Sequence, residues 1–186
     1  MIIKPSWEKF TPKEDDIVIN IDPGMAFGTG THESTYLCIE KLQSIDLLNK
    51  RVCDVGCGSG ILSIVAAKLG SIKVSAIDID PISVKTTREN SLSNNTDNII
   101  SVFEGDLLNT INNKYDIFIA NILPNVIVEL IPSVEKLINK NGLIITSGII
   151  KEKSDFIISK LKEHNFSIID TTSKGEWVCI LAEYNA

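Results

Sequence analysis

The segment Val52-Cys53-Asp54-Val55-Gly56-Cys57-Gly58-Ser59-Gly60 runs from an apolar stretch directly into three alternating glycines. Ile61 to Ala67 then continues as an apolar run broken only by Ser63. The β-branched residues before the glycines read as a buried strand, and the longer pattern after them reads as a helix. Glycine accepts positive φ and carries no Cβ, so such a junction turns sharply and leaves bare backbone at a helix N-terminus. Strand, glycine turn and helix in this order belong to an open parallel sheet, where ligands lie beyond the carboxyl ends of the strands.

The rest of the chain keeps that rhythm. Strands are expected at Arg51–Val55, Lys73–Ile77, Ile99–Phe103, Tyr115–Ala120 and Leu143–Ser147. Helices are expected from about Gly60 to Leu69, Pro81 to Asn94, Val126 to Ile138 and Lys151 to His164. Pro81 suits a first helical turn, and Asp80 suits its N-cap. The alternation predicts an α/β fold, a parallel sheet with helices on both faces. The tail departs from it: Phe166–Thr171 and Trp177–Glu183 are joined by a short loop holding Lys174 and Gly175. A parallel crossover needs about a dozen residues or more, so this pair is expected to form an antiparallel hairpin. The expectation is a Rossmann-like, mostly parallel sheet of about seven strands, one of them reversed near its edge. Residues 1–186 read as one domain: 1–49 an N-terminal segment with a helix from about Glu33 to Leu42, and 50–186 the core.

Composition narrows the class. Hydrophobic residues make up 44% of the 186, enough to offset chain entropy and exclude a disordered chain. Lys+Arg number 18 against Asp+Glu 24, a net charge of −6, which disfavours nucleic acid as a direct partner. The longest apolar run is far too short to cross a bilayer, and the start shows no leader pattern, so a cytoplasmic protein with no membrane partner is expected. Cys38, Cys53, Cys57 and Cys179 do not space like a secreted disulfide framework and read as reduced thiols. A metal site on Cys53 and Cys57 lacks a second ligand pair, since His32 and His164 are the only histidines; no metal is expected.

A dinucleotide fingerprint, G-x-G-x-x-G, would need glycine at position 61, where this chain has isoleucine. The observed G-x-G-x-G, with Asp54 two residues ahead of Gly56, instead resembles motif I of the class I S-adenosylmethionine-dependent methyltransferases. Gly56, Gly58 and Gly60 are then cofactor-binding candidates, with Asp54 beside them. Asp78 ends the next strand, where a carboxylate can accept both ribose hydroxyls of an adenosine. Asp106, just after the third strand, is placed to meet the adenine edge, as its counterpart does in many class I enzymes. An ordinary loop carboxylate is the competing reading of Asp106.

Ala120-Asn121-Ile122-Leu123-Pro124 closes the fourth strand and resembles the Asn-Pro-Pro-Tyr type motif IV of methyltransferases acting on nitrogen. There an Asn side chain and a nearby carbonyl hold the attacking amine, which makes Asn121 the catalytic candidate. A lysine amine, with a pKa of about 10.4, is mostly protonated at neutral pH, so the neutral form must be selected and aimed. The competing reading is an Asn that turns the chain at a strand end.

Residues 21–35, Ile-Asp-Pro-Gly-Met-Ala-Phe-Gly-Thr-Gly-Thr-His-Glu-Ser-Thr, carry Gly24, Gly28 and Gly30 and hydroxyls at Thr29, Thr31 and Thr35. Such a segment suits folding over a bound cofactor and closing it from water. With the motifs above it resembles the ribosomal protein L11 methyltransferase family, whose members carry a similar D-P-G-x-A-F-G-T-G-T-H run. The likeness extends from Lys4-Pro5-Ser6-Trp7 through Asn121-Ile122-Leu123 to Ser147-Gly148-Ile149 and Glu176-Trp177. It implies a class I methyltransferase fold, S-adenosyl-L-methionine as cofactor, and methylation of amino groups of ribosomal protein L11 or another amine-bearing protein. The family's cofactor contacts fall on Thr35, Gly56, Asp78 and Asn121, with Phe27 and Thr31 nearby. For His32 a loop-closing role is expected over that of a base, for Trp177 core or pocket wall, and for Cys179 packing.

The chain departs from the family at three points. Full-length members carry an N-terminal substrate-recognition domain, and this chain begins at about the linker that follows it. The alternative reading is a shortened relative or a cofactor-binding catalytic half, inactive alone or acting on another amine. His32-Glu33-Ser34-Thr35 stands where proline and threonine are commoner, and Pro124 where a small residue often follows the leucine; neither change removes an expected cofactor contact.

Overall fold

Val52, Cys53 and Val55 are buried because the strand that carries them lies inside a seven-stranded sheet. The computed structural model describes residues 1–14, 16–22, 30 and 32–185. In chain order the elements are β1 (Ile2–Lys4), β2 (Val18–Asn20), α1 (Glu33–Ser44), β3 (Arg51–Val55), α2 (Ile61–Lys68), β4 (Lys73–Asp78) and α3 (Pro81–Ser93). They continue with β5 (Ile100–Glu104), β6 (Tyr115–Asn121), α4 (Pro124–Leu137), β7 (Ile138–Ile150), α5 (Lys151–Glu163), β8 (Phe166–Lys174) and β9 (Trp177–Tyr184).

The large sheet has the order β5-β4-β3-β6-β7-β9-β8. Strands β3 to β7 pair in parallel, and β9 lies antiparallel between β7 and β8. The expected C-terminal hairpin is therefore present, and its second strand is the reversed one. From β3 the chain winds outward to β4 and β5, then returns to the other side of β3 with β6 and β7. That reversal opens a crevice at the carboxyl ends of β3 and β6, the place where open α/β sheets hold ligands.

Successive strand residues face opposite sides, and the two cores follow that parity. Val52, Ile117 and Ile119 pack with Leu37, Cys38 and Leu42 of α1 and Ile64 and Val65 of α2. Cys53, Val55, Phe118 and Ala120 pack with Ile127, Leu130 and Ile131 of α4 and Ile157 and Leu161 of α5. Cys53 and Cys57 belong to different cores, and all four thiols are free and buried. Among the described residues no helix is long and apolar enough to cross a membrane.

Several details differ from expectation. Helix α4 starts at Pro124, earlier than Val126, because proline pre-sets the φ of a first helical residue. Strand β7 spans 13 residues, longer at both ends than the expected Leu143–Ser147, and includes Asn141 at φ 59°. In keeping with the expected order, no helix joins β5 to β6; Leu107, Leu108 and Ile111 of the connection fill that part of the second core. The N-terminal segment adds a small parallel sheet of β1 and β2.

That segment is fastened by α3. Asn94 donates Nδ2 to the Asn20 carbonyl (2.7 Å) and accepts the Asn20 N–H (2.9 Å). One helical turn earlier, Asn90 does the same with Asp22, at 3.2 and 3.1 Å. Two side-chain amides thus supply the pairing that a neighbouring strand would.

Candidate active site

The chain leaves β3 through the glycine turn. Gly56 has φ 75°, and a Cβ there would run into the Ile122 side chain, so both conformation and space require glycine. The Gly56 and Cys57 N–H groups donate to the Ile77 carbonyl at 2.8 and 3.0 Å, which folds the turn against the end of β4. Gly60, at φ 82°, is the N-cap of α2. On the far side, Gly148 at φ 78° would place a Cβ 2.5 Å from the Ile122 carbonyl oxygen; its absence lets the end of β7 approach the backbone after Asn121.

A cavity of about 700 Å³ opens over these strand ends, within the range of small-molecule sites. Of the residues singled out from sequence, Thr35, Gly56, Gly58, Asp78, Asp106 and Asn121 line it. Asp54 and Gly60 are not among its lining residues, and Phe27 and Thr31 lie outside the described residues. His32 and Trp177 also line it, whereas Cys179 is fully buried.

Asp78 is held at the crossing of two backbones. Its Oδ2 accepts the Gly58 N–H at 2.8 Å and its Oδ1 the Asp80 N–H at 3.0 Å. A carboxylate has about four lone-pair sites, so two remain for a ligand. Asp80 caps α3, accepting the Ile82 N–H at 2.9 Å.

Asp54 sits behind the turn, almost wholly buried, and accepts the Ser63 hydroxyl at 2.6 Å. Burial pushes its carboxyl up to about 6; the Ser63 bond opposes the shift and the nearby Asp78 charge adds to it.

Asn121 is the last residue of β6 and donates Nδ2 to the Thr35 hydroxyl at 3.3 Å. His32 is the N-cap of α1: its Nδ1 accepts the Ser34 N–H at 3.3 Å and lies 2.7 Å from the Ser34 hydroxyl. The imidazole meets Trp177 edge-on, with centroids 4.7 Å apart. Lys174 over the Tyr36 ring, and the Lys151 N–H donated to the Glu176 carbonyl at 3.0 Å, fasten the hairpin end to α1 and α5.

Sequence reasoning missed several wall residues: Ser83, Leu123, Val126 and Glu129 all line the cavity. Val126 and Glu129 stand three apart on the helix that follows Asn121, a spacing that places them on one face and was readable once the helix was placed. Among the described residues the lining carries the carboxylates of Asp78, Asp106 and Glu129 and no Lys or Arg, so it favours a cationic ligand.

A profile of the ribosomal protein L11 methyltransferase (PrmA) family matches residues 1–185. The chain is 48% identical over 183 residues to the ribosomal protein L11 methyltransferase of Clostridium botulinum (strain Eklund 17B / Type B), covering 98% of this chain and 58% of that protein. It is 46% identical over 182 residues to the protein of that name from Heliobacterium modesticaldum, with the same shares covered. The chain therefore spans 58% of the length of these curated relatives. The crystal structure of ribosomal protein L11 methylase from Lactobacillus delbrueckii subsp. bulgaricus superposes with a TM-score of 0.92 at 34% identity, covering 99% of this chain and 94% of that chain.

Proposed function

We propose, since this chain belongs to the ribosomal protein L11 methyltransferase family, that it transfers a methyl group from S-adenosyl-L-methionine to a protein amine. The observation that carries the reading is one cavity holding both the glycine turn with Asp78 and the Asn121–Thr35 pair. One end has the chemistry to hold an adenosine, and the other to orient an amine.

The residues present fit this cofactor. A Cβ at position 56 would displace Ile122, which lines the same cavity, and the acidic lining suits a ligand with a sulfonium and an ammonium. When bound, the cofactor supplies an electrophilic methyl group. Asp78 accepts the ribose hydroxyls, Asp106 meets the adenine edge, and the turn at Gly56 and Gly58 admits the amino-acid portion against bare backbone. Phe27 and Thr31 are assigned beside the cofactor from the family pattern alone.

Asn121 is the catalytic candidate. Its Nδ2 is engaged by Thr35, which turns the Oδ1 acceptor toward an incoming amine N–H and aims the nitrogen lone pair. Positioning of this kind supplies several kcal/mol of a substitution barrier. Asp54 and Gly60 support the turn from behind: Asp54 through Ser63 at the start of α2, Gly60 as its N-cap. His32 and Trp177 wall the acceptor side and keep water from it.

The acceptor is ribosomal protein L11 or another amine-bearing protein, and residues 1–186 act as one methyltransferase domain in the cytoplasm. The net charge of −6 is compatible with a basic protein partner. The test is calorimetric titration with S-adenosyl-L-methionine, followed by mass spectrometry of purified L11 incubated with the loaded chain. Saturable binding and a mass gain in whole methyl groups are expected; absence of binding would overturn the reading. Because the chain spans 58% of its curated relatives, a catalytic half is the second reading, favoured by binding without transfer.

A further inference from the structure

Helix α3 turns a polar face inward: Ser83, Thr86, Thr87, Asn90 and Ser91 are buried with Val84 as their apolar neighbour. Two of these side chains hold the glycine turn by its carbonyls. Thr87 donates Oγ1 to the Gly58 carbonyl at 2.9 Å, and Asn90 donates Nδ2 to the Ser59 carbonyl at 2.8 Å. Residues 87 and 90 are three apart, so they project side by side from the helix.

Asn90 does a second thing with the same side chain. It pairs with both backbone groups of Asp22, accepting the N–H on Oδ1 and donating Nδ2 to the carbonyl. Asn94 pairs with Asn20 in the same manner and makes no bond to the glycine turn. The match is geometric: four helical residues rise about 6 Å and two strand residues advance about 6.7 Å, so amides at i and i+4 meet alternate residues of an extended chain. Asn90 and Asn94 are equally buried, both 3% exposed. They differ in one respect that bears on the site: of the two, Asn90 alone also bonds the turn beneath the cavity.

We propose that Asn90 is a positioning residue for cofactor binding, a tie between Asp22 and the Ser59 carbonyl that holds the glycine turn in its binding geometry without touching the cofactor. This rests on the function proposed above. A buried amide with three backbone partners has one arrangement that satisfies them all, so this side chain ties the turn to the segment ending at Asp22 in a fixed geometry.

The experiment compares Asn90→Ala with Asn94→Ala in the full chain, reading S-adenosylhomocysteine affinity by calorimetry and stability by thermal unfolding. Both variants lose a buried amide with three backbone partners, two of them in the N-terminal segment, so both lower the Tm. Asn90→Ala weakens binding about tenfold, while Asn94→Ala stays within about twofold. Equal affinities in the two variants would overturn the inference and leave the proposed function standing. No binding by the wild-type chain would overturn the function, and the inference with it.

Should Asn90→Ala fail to fold, amide exchange in the wild-type chain decides. Coupling is reciprocal, so cofactor binding should slow exchange of the Asp22 N–H, whose acceptor is Asn90, more than that of the Asn20 N–H. The same change at both positions, or none at either, overturns the inference.

Discussion

Asn121 and Thr35, the one at the end of β6 and the other in the first turn of α1, are joined by a 3.3 Å hydrogen bond across 86 positions of sequence. The bond fixes which way the Asn121 amide faces. Thr35 is buried, so its hydroxyl is not free to turn to water instead.

Asn121→Ala should therefore depress turnover far more than cofactor affinity, by about 100-fold against no more than about threefold. Thr35→Val, which keeps Asn121 but removes the hydroxyl that accepts its Nδ2 and orients the amide, should lose about tenfold in turnover. Steady-state kinetics alongside calorimetry separate the two effects. Equal losses in turnover and affinity for Asn121→Ala would contradict the assigned role.

Gly56→Ala tests the cradle. Positive φ costs an L-residue about 1–2 kcal/mol, and the added methyl also meets Ile122. A total loss of about 2–4 kcal/mol is expected in denaturant unfolding, with cofactor binding weakened more than tenfold. Adding Ile122→Ala should relieve the contact but not the backbone strain, so rescue should be partial.

Most of the sheet and much of the cavity was legible in sequence. Strand β3 runs up to Gly56, and β4 and β6 end on Asp78 and Asn121, so a residue at a strand end is also a residue at the ligand edge. What was hidden depends on contacts far apart in the chain. Strands β1 and β2 have three residues each, too few to show a period of two, and their anchoring amides lie 68 and 74 residues away. The buried face of α3 is polar, with Val84 its one apolar residue, so hydrophobic periodicity does not mark it as an inner face. Trp177, read in sequence as core or pocket wall, lines the cavity, where the hairpin returns beside α1 and its ring packs on His32.

Asp54 should leave a mark on the pH dependence of stability. Its carboxyl is raised to about 6 in the folded chain from an ordinary 3.8, so the folded state binds the proton more tightly. Stability from this group is thus fully present below about pH 4 and declines as pH rises through 6, by about 3 kcal/mol. Urea unfolding from pH 4 to 7 should show that decline in the wild-type chain relative to Asp54→Asn. Parallel profiles would mean that the buried carboxyl is not raised.

The Lys41–Asp170 pair predicts the opposite slope. Lys41 is nearly buried, and its ammonium holds the Asp170 carboxyl below the usual carboxylate range. That contribution is present above the unfolded carboxyl pKa and is lost as pH falls through the lower folded value. Asp170 is about half exposed, so Asp170→Asn should cost only about 1 kcal/mol at pH 7. The difference from wild type should shrink on acidification; a constant difference would argue for lost packing instead.

The most direct measurement is calorimetric titration of the wild-type chain and Asp78→Ala with S-adenosyl-L-methionine, with circular dichroism to establish that both are folded. Saturable one-to-one binding by the wild type is expected, weakened at least about tenfold in the variant, because the ribose would lose its charged acceptor. Undiminished binding by a folded Asp78→Ala variant, or none by the wild type, would contradict the assignment of this cavity to the cofactor.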